Sequence, residues 1–309
     1  MDTATAAVFV SAALALTLAA RQRNAAIASR THSLDPAAAE RKLAAIAAGG
    51  PSLLHVVVDW DRTVTTYRHA GRPGHTCHGI VEARRSPALR AQATALNSFY
   101  LPIETSTTLS REEKIPHMAA WYASVNALLV AERITREDLE GDVRAANLGL
   151  RAGVAALLRA SAAHGFPVTI LSAGIGDVIA EVLRQRCGPL PANLRIASNA
   201  MLWEGGACAG FSQPTLHMYN KAAAFAFAPE ELARLRRERP HVVLVGDSDG
   251  DATMAEGLEP AVLLRIGIAN DAAALPAVLP KFLKSAWLRA LLRKRDRAHP
   301  PFFSSPRSV

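Results

Sequence analysis

The chain has 309 residues, enough for about two domains, and hydrophobic residues make up 50% of it, so it can bury a sizeable core. Its formal net charge is +8 and its pI is about 9.9, yet the basic residues are dispersed and no nucleic-acid-binding motif is present. This pattern favours a protein with small anionic substrates over a nucleic-acid binder. Three cysteines without a Cys-x-x-Cys pair argue against a disulfide framework and fit a reducing compartment.

Residues 1–50 are interpreted as an extension that precedes the main fold. Residues 6–20 are apolar and rich in alanine, but the run is too short for a confident membrane span. Residues 1–30 contain many Ala and Arg and almost no acid, which is compatible with an organelle transit peptide and equally with a plain N-terminal helix. Residues 35–48 then have helical character and are followed by Gly-Gly-Pro.

A buried strand that ends in carboxylates starts the main fold. Residues 56–58 are three valines, and Asp59-x-Asp61-x-Thr63 follows directly. Because ligands bind at the carboxyl ends of strands in an open α/β sheet, this stretch places two carboxylates where reacting groups are needed. Taken alone, the stretch is equally compatible with a surface turn.

Two further apolar runs end in polar groups. Residues 168–171 lead to Ser172 and Ala173, residues 241–245 lead to Asp247 and Asp251, and Lys221 stands between them. This order of motifs resembles the haloacid dehalogenase superfamily of phosphatases. Strands alternate with helices, the latter including residues 176–186 and 221–239, which predicts an α/β fold with a Rossmann-like parallel sheet core.

Helical spacing is also present in residues 86–100, 110–130 and 135–163. Residues 66–145 are therefore predicted to be a mostly helical insertion, where the superfamily places a cap, while residues 51–65 and 146–280 form the core. Residues 281–309 are interpreted as a basic amphipathic helix followed by a disordered tail.

A set of longer motifs, spread over about residues 53–271, narrows the resemblance to one family. The motifs are Asp59-Trp60-Asp61-Arg62-Thr63, Thr76-Cys77-His78, Ile103-Glu104, Glu112-Glu113-Lys114-Ile115-Pro116, Trp121-Tyr122, Ser172-Ala173-Gly174-Ile175-Gly176-Asp177, Asn220-Lys221 and Gly246-Asp247-Ser248-Asp249-Gly250-Asp251. In these motifs the chain resembles the type III cytosolic 5′-nucleotidases, also called pyrimidine 5′-nucleotidases.

The resemblance implies a catalytic role for two aspartates. Asp59 is expected to be the nucleophile that forms an aspartyl phosphate, and Asp61 to protonate the leaving oxygen and then activate water. Several carboxylates and a phosphate repel one another by roughly 4 kcal/mol per pair at 4 Å and an effective dielectric of 20, so a cation is required. We expect Mg²⁺, bound by the Asp59 and Asp247 carboxylates and the Asp61 backbone carbonyl.

The remaining site residues follow from the same resemblance. Asp251 is expected to support the metal ligands from behind, without binding the metal itself. Ser172, Ala173 and Lys221 are expected to hold the phosphate. The cap is expected to select the substrate, with Glu104 in contact with the base and Tyr122 stacked on it. Alternatively, Glu104 is an exposed loop carboxylate, and Tyr122 occupies a core position of its helix.

The sequence thus predicts a Mg²⁺-dependent 5′-nucleotidase that hydrolyses nucleoside 5′-monophosphates, with pyrimidine bases preferred. The alternatives are a 7-methylguanosine monophosphate nucleotidase or another capped phosphatase and, from another class, a non-catalytic nucleotide-binding or membrane-surface module. We expect a cytoplasmic monomer that binds no nucleic acid, and an organelle location if residues 1–30 are a transit peptide. Membrane contact through the termini is not favoured, because the basic helix is expected to pack on the core.

Overall fold

The computed structural model describes residue 33 and residues 35–270 of the chain. The possible transit peptide at residues 1–30 and the predicted basic helix and tail at 281–309 lie outside the described residues. Within the described part, no helix combines the length and the apolar character that a membrane crossing requires.

A five-stranded parallel sheet in the order β5-β4-β1-β8-β9 forms the centre of the molecule. Two short antiparallel hairpins, β2-β3 and β6-β7, accompany it. The strands are β1 (Leu54–Val58), β2 (Arg68–His69), β3 (Arg72–Pro73), β4 (Val168–Ile175), β5 (Leu194–Asn199), β6 (Met201–Glu204), β7 (Ala207–Phe211), β8 (His241–Gly246) and β9 (Val262–Gly267). This sheet confirms the predicted α/β class.

Helices connect these strands. They are α1 (Pro36–Gly49), α2 (Cys77–Glu82), α3 (Pro87–Thr105), α4 (Arg111–Ala131), α5 (Arg136–Ala145), α6 (Val154–His164), α7 (Gly176–Cys187), α8 (Ala223–Ala226) and α9 (Pro229–Glu238). Helix α5 begins with a capping box in which Thr135 and Asp138 satisfy each other's backbone N–H groups.

Two predicted helices were wrong in extent. Residues 135–163 form two helices rather than one, because α5 ends at Ala145 and Gly153, with a φ of 96°, precedes α6. Residues 221–239 are likewise divided between α8 and α9. Phe227 and Ala228 have extended backbones, the conformation that a proline favours in the residue before it, and Pro229 is the first residue of α9.

The register of the sheet brings the predicted motifs to one edge. Val58, the last residue of β1, pairs with Ile170 of β4 on one side and with Val245 of β8 on the other. The residues that follow these positions in parallel strands therefore emerge at the same carboxyl edge of the sheet. Asp59, Ser172 and Asp247 are among them.

The helical insertion, defined here as residues 77–145 with helices α2 to α5, lies between β1 and β4 in the chain. Its first helix is anchored in the core, since Cys77, Ile80 and Val81 are buried in the same hydrophobic cluster as Val56 and Val58 of β1. The β6-β7 hairpin also holds it, because the backbone N–H of Cys208 donates to the Ile134 carbonyl at 2.8 Å.

Candidate active site

Lys221 and two aspartates form the buried centre of the site. The Lys221 ammonium is paired with the Asp59 carboxylate and lies 2.6 Å from Oδ1 of Asp251. The exposed fractions are 3% for Lys221, 5% for Asp59 and 0% for Asp251. Burial lowers the pKa of Lys221, but the Asp251 and Asp59 carboxylates outweigh it and raise the pKa overall. Lys221 therefore stays cationic and offsets part of the negative charge around it.

The fourth motif adds Asp247 beside this centre. Its carboxylate accepts hydrogen bonds from Thr63 Oγ1 at 3.2 Å and from Asn270 Nδ2 at 3.0 Å. Asp251 supports this turn from behind, since its Oδ2 accepts from the backbone N–H of Asp247 at 2.9 Å and from that of Ser248 at 2.8 Å. The turn is thus held in place by the side chain that also binds Lys221.

The arrangement of carboxylates suits a hard cation. Asp59, Asp247 and Asp251 each offer an oxygen, and these oxygens lie within 4.8 Å of one another. Burial raises the pKa of Asp59, against the effect of Lys221, while the Asp251 and Asp247 carboxylates raise it further. An oxygen-rich set with excess negative charge in a buried place is the kind of site that Mg²⁺ occupies beside phosphate.

Asp61 lies on the turn after Asp59. Its Oδ1 accepts a hydrogen bond from the backbone N–H of Cys77, the first residue of α2, at 3.1 Å. Burial raises the pKa of Asp61 to about 6 despite the opposing effect of the hydrogen bond from Cys77. A carboxyl group with a pKa near neutrality can both donate and accept a proton, as a general acid and base must.

Ser172 and Ala173 lie near the end of β4, in the run predicted to hold the phosphate. Ser172 is 2% exposed, and its Oγ accepts from the backbone N–H of Gly174 at 3.0 Å. The carbonyl of Ala173 accepts from Asn199 Nδ2 at 2.8 Å, and the same amide group donates to the carbonyl of Leu216 at 2.9 Å. Asn199 therefore joins this run to the segment that leads to Lys221.

Glu104 and Tyr122 belong to the helical insertion, on α3 and α4. Burial raises the pKa of Glu104, while Arg62 and Lys114 oppose the rise. Burial also raises the pKa of the Tyr122 hydroxyl, and the negative charge of Glu104 adds to the rise, with a smaller contribution from Asp61. The pKa of Tyr122 is thus affected by one carboxylate of the insertion, Glu104, and by one of the core, Asp61. Its ring contacts His78 edge to face, with centroids 5.7 Å apart.

Comparison with known proteins identifies the family. The family model for pyrimidine 5′-nucleotidase (UMPH-1) matches residues 62–286. The chain belongs to this family. A Caenorhabditis elegans protein that carries the name cytosolic 5′-nucleotidase 3 is 34% identical over 252 residues, which are 78% of this chain and 67% of that protein. The human 7-methylguanosine phosphate-specific 5′-nucleotidase is 33% identical over 241 residues, 76% of this chain and 79% of the relative.

A solved structure supports the same conclusion. The crystal structure of cytosolic 5′-nucleotidase IIIB bound to cytidine has a TM-score of 0.67 and 28% sequence identity, and it covers 82% of this chain and 84% of that one. The predicted resemblance to the type III cytosolic 5′-nucleotidases is thereby confirmed. The protein is an enzyme of the 5′-nucleotidase class.

Arg151 and Asn270 contact the candidate site, and the sequence predicted neither of them. Arg151 donates from Nε to the Thr63 carbonyl and from Nη2 to the Arg62 carbonyl, both at 2.8 Å. It also donates to Asn270 Oδ1 at 3.1 Å, while Asn270 Nδ2 donates to the Arg62 carbonyl at 3.1 Å. Asn270 follows β9, so the rule that led to Asp59 and Asp247 could have found it.

Proposed function

We propose that this nucleotidase hydrolyses nucleoside 5′-monophosphates to nucleoside and phosphate in a Mg²⁺-dependent reaction, with pyrimidine bases preferred. The observation that supports it best is the buried group of Asp59, Lys221 and Asp251 with Asp247 beside it. A phosphate with its negative charge needs both the ammonium group and a cation in such a place.

The donor set of the site fits Mg²⁺. The Asp59 and Asp247 carboxylates and the Asp61 carbonyl would hold the ion, with Asp251 behind them. When bound, Mg²⁺ neutralises part of the charge on the phosphate and the carboxylates around it.

Hydrolysis proceeds in two displacements at phosphorus. An oxygen of Asp59 attacks, so that an Asp59–phosphorus bond forms while the bond from phosphorus to the 5′-oxygen breaks, and the Asp61 carboxyl donates its proton to that oxygen. Asp61 then takes a proton from water, whose oxygen attacks phosphorus and releases inorganic phosphate and the Asp59 carboxylate. Throughout, the Lys221 ammonium, the Ser172 hydroxyl and the Ala173 backbone N–H hold the phosphoryl oxygens.

The helical insertion is proposed to be the cap, within residues 66–145, over a core formed by residues 51–65 and 146–280. Glu104 contacts the base and Tyr122 stacks on it, which gives the site its preference for nucleotides over simple phosphate esters. The cytidine bound in the related crystal structure supports a preference for substrates with a pyrimidine base. The second candidate is 7-methylguanosine monophosphate, which the name of the human relative favours.

A panel of monophosphates tests the substrate. Turnover of CMP, UMP, 7-methylguanosine monophosphate, AMP and glycerol phosphate is measured with Mg²⁺ and with EDTA. We expect kcat/KM to be highest for CMP and UMP and activity to disappear with EDTA. The highest value for 7-methylguanosine monophosphate would establish the second candidate, whereas equal values for all esters, glycerol phosphate included, would overturn a nucleotide function.

The nucleophile is tested separately by Asp59→Asn. Phosphate release is expected to fall by about 1,000-fold or more, because the asparagine amide cannot act as the nucleophile that forms the acyl phosphate. Mass spectrometry of acid-quenched wild-type enzyme is expected to show one added phosphoryl group, which the variant lacks. Unchanged phosphate release by the variant would indicate a contaminating phosphatase and leave the non-catalytic binding module as the better interpretation.

We propose further that the enzyme acts as a monomer in the cytosol, without nucleic acid or membrane as partner. The cytosolic names of its relatives support the location. Size-exclusion chromatography with light scattering tests the monomer. A fluorescent protein fused to residues 1–30 tests the location, since import into an organelle would show that these residues are a transit peptide.

A further inference from the structure

Tyr219 belongs to the core domain and contacts the helical insertion at Glu104, the residue proposed to recognise the base. It stands two positions before Lys221 in the chain. Its hydroxyl donates a hydrogen bond to the backbone carbonyl of Glu104 at 2.6 Å. A single short segment of the core therefore carries both the ammonium group proposed to bind phosphate and a direct contact to the base-reading residue.

The insertion contributes matching contacts to the same place. Lys114 Nζ donates to the Glu104 carbonyl at 3.1 Å and lies 5.5 Å from the centre of the Tyr219 ring. Arg111 donates from Nε to the Tyr219 carbonyl at 3.2 Å. Lys114 is 8% exposed, so this contact between core and insertion is partly shielded from water. The Glu104 backbone is thus held from two sides.

The segment that carries Tyr219 is itself held in a defined shape. Asn220 accepts from the backbone N–H of His217 at 2.7 Å and donates to the carbonyl of Thr215 at 2.9 Å. Leu216 is bonded to the Asn199 side chain through both its N–H and its carbonyl. A shift of Glu104 relative to Lys221 would have to break these bonds or the one to the Tyr219 hydroxyl.

We propose that the Tyr219 hydroxyl is a positioning group that sets the separation between Lys221 and Glu104 and thereby favours phosphate esters that carry a base. The inference rests on the proposed function of Glu104. Tyr219 acts through the Glu104 backbone and not on the substrate. Hydrolysis of a phosphate ester without a base depends on Lys221, Ser172 and the aspartates alone. Its kcat and KM are therefore expected not to change when the Tyr219 hydroxyl is removed.

Tyr219→Phe tests the proposal, because it removes the hydroxyl and keeps the ring under Lys114. The nucleotide that wild-type enzyme prefers is compared with glycerol phosphate. Loss of one hydrogen bond is expected to raise KM for the nucleotide by roughly 2- to 12-fold with little change in kcat. Both constants for glycerol phosphate are expected to stay unchanged. Tyr100→Phe, the same change elsewhere on the insertion, is the control and should leave kcat and KM unchanged for both substrates.

Two results would overturn the positioning role while leaving the nucleotidase function intact. One is an unchanged preference for the nucleotide in Tyr219→Phe. The other is an equal loss on both substrates, which indicates that the hydroxyl only supports the fold. If wild-type enzyme does not prefer nucleotides over glycerol phosphate, the proposed function itself fails, and the inference fails with it.

Discussion

The Nδ2 atom of Asn270 lies 3.0 Å from Oδ2 of Asp247, so a residue beyond β9 orients a carboxylate that follows β8. The same amide nitrogen donates to the Arg62 carbonyl, and its oxygen accepts from Arg151. Asn270 therefore joins the Asp247 carboxylate to the turn that carries Asp59 and Asp61. Groups that orient metal ligands in this way affect metal affinity without touching the metal.

Asn270→Ala is expected to weaken metal binding more than it weakens catalysis at saturating metal. The Mg²⁺ concentration for half-maximal activity should rise by roughly 10- to 100-fold, since Asp247 loses the donor that orients it. A Mn²⁺ titration followed by electron paramagnetic resonance should show the same loss without substrate. Asn147→Ala, which removes an amide bonded to the Pro73 carbonyl, is the control. Equal Mg²⁺ dependence in all three proteins would contradict the prediction.

Lys221→Met is expected to destabilise the fold because it leaves Asp59 and Asp251 without their buried counter-charge. Removing one partner of a buried ion pair costs roughly 3–5 kcal/mol in the free energy of unfolding. Urea denaturation at pH 8 without metal measures this, and added Mg²⁺ should restore part of the loss by neutralising the carboxylates. Lys42→Met on α1 replaces an exposed lysine and should leave the free energy nearly unchanged. A loss for Lys221→Met no larger than for this control would show that the pair does not stabilise the fold.

Gly246 is expected to tolerate no side chain. A Cβ there would lie 2.2 Å from Cβ of Asp251, which must then move away from Lys221 and the turn at Ser248. Gly246→Ala should cost about 1–3 kcal/mol of stability by overpacking, and misplacing Asp251 should lower kcat/KM by about 100-fold. Gly210→Ala on β7 is the matched control, since its Cβ would meet Leu202 at an ordinary 3.5 Å. A kcat/KM equal to that of wild type in Gly246→Ala would contradict the prediction, because it would show that Asp251 can move without a loss of activity.

Stability is expected to fall in acid because of His55, a fully buried residue of β1. Burial, together with the nearby charges of Arg239 and Arg234, lowers the pKa of His55 to about 3, whereas the unfolded chain titrates near 6.5. Between those values the unfolded state binds one more proton, so the free energy of unfolding decreases by about 1.4 kcal/mol per pH unit as the pH falls.

His55→Gln should remove that part of the slope, while keeping a polar group near Thr169 Oγ1, which lies 2.9 Å from His55 Nε2. Urea denaturation of wild type and variant from pH 6.5 to pH 4.5 measures the difference, in which other titrating groups cancel. His117→Gln, at an exposed position on α4, should keep the wild-type slope. Parallel slopes for wild type and His55→Gln would show that His55 is not the titrating group.

Local patterns predicted the sheet better than the helices. The apolar runs that became β1, β4 and β8 are short, rich in β-branched residues and followed by turn residues, which is typical of buried strands. The separation of α5 from α6 was missed, since residues 146–153 continue an apolar pattern that resembles helix. The backbone of Gly153 and close contacts at Gly149, where a Cβ would lie 2.6 Å from His69 Nδ1, end that pattern in the folded chain.

By itself, the sequence determined the α/β class, the family, and the grouping of Asp59, Ser172, Lys221 and Asp247. Asp59, Ser172 and Asp247 are grouped because parallel strands bring their carboxyl ends to one edge of the sheet. Lys221 lies at no strand end, and its place in the group, like the family, follows from the resemblance of the motifs. Only the tertiary structure decided the partners of those groups, such as Asn270 on Asp247, Cys77 on Asp61 and Tyr219 on Glu104. Such hydrogen bonds join residues far apart in the chain, and an error of about 1 Å in how strands and helices pack would break them.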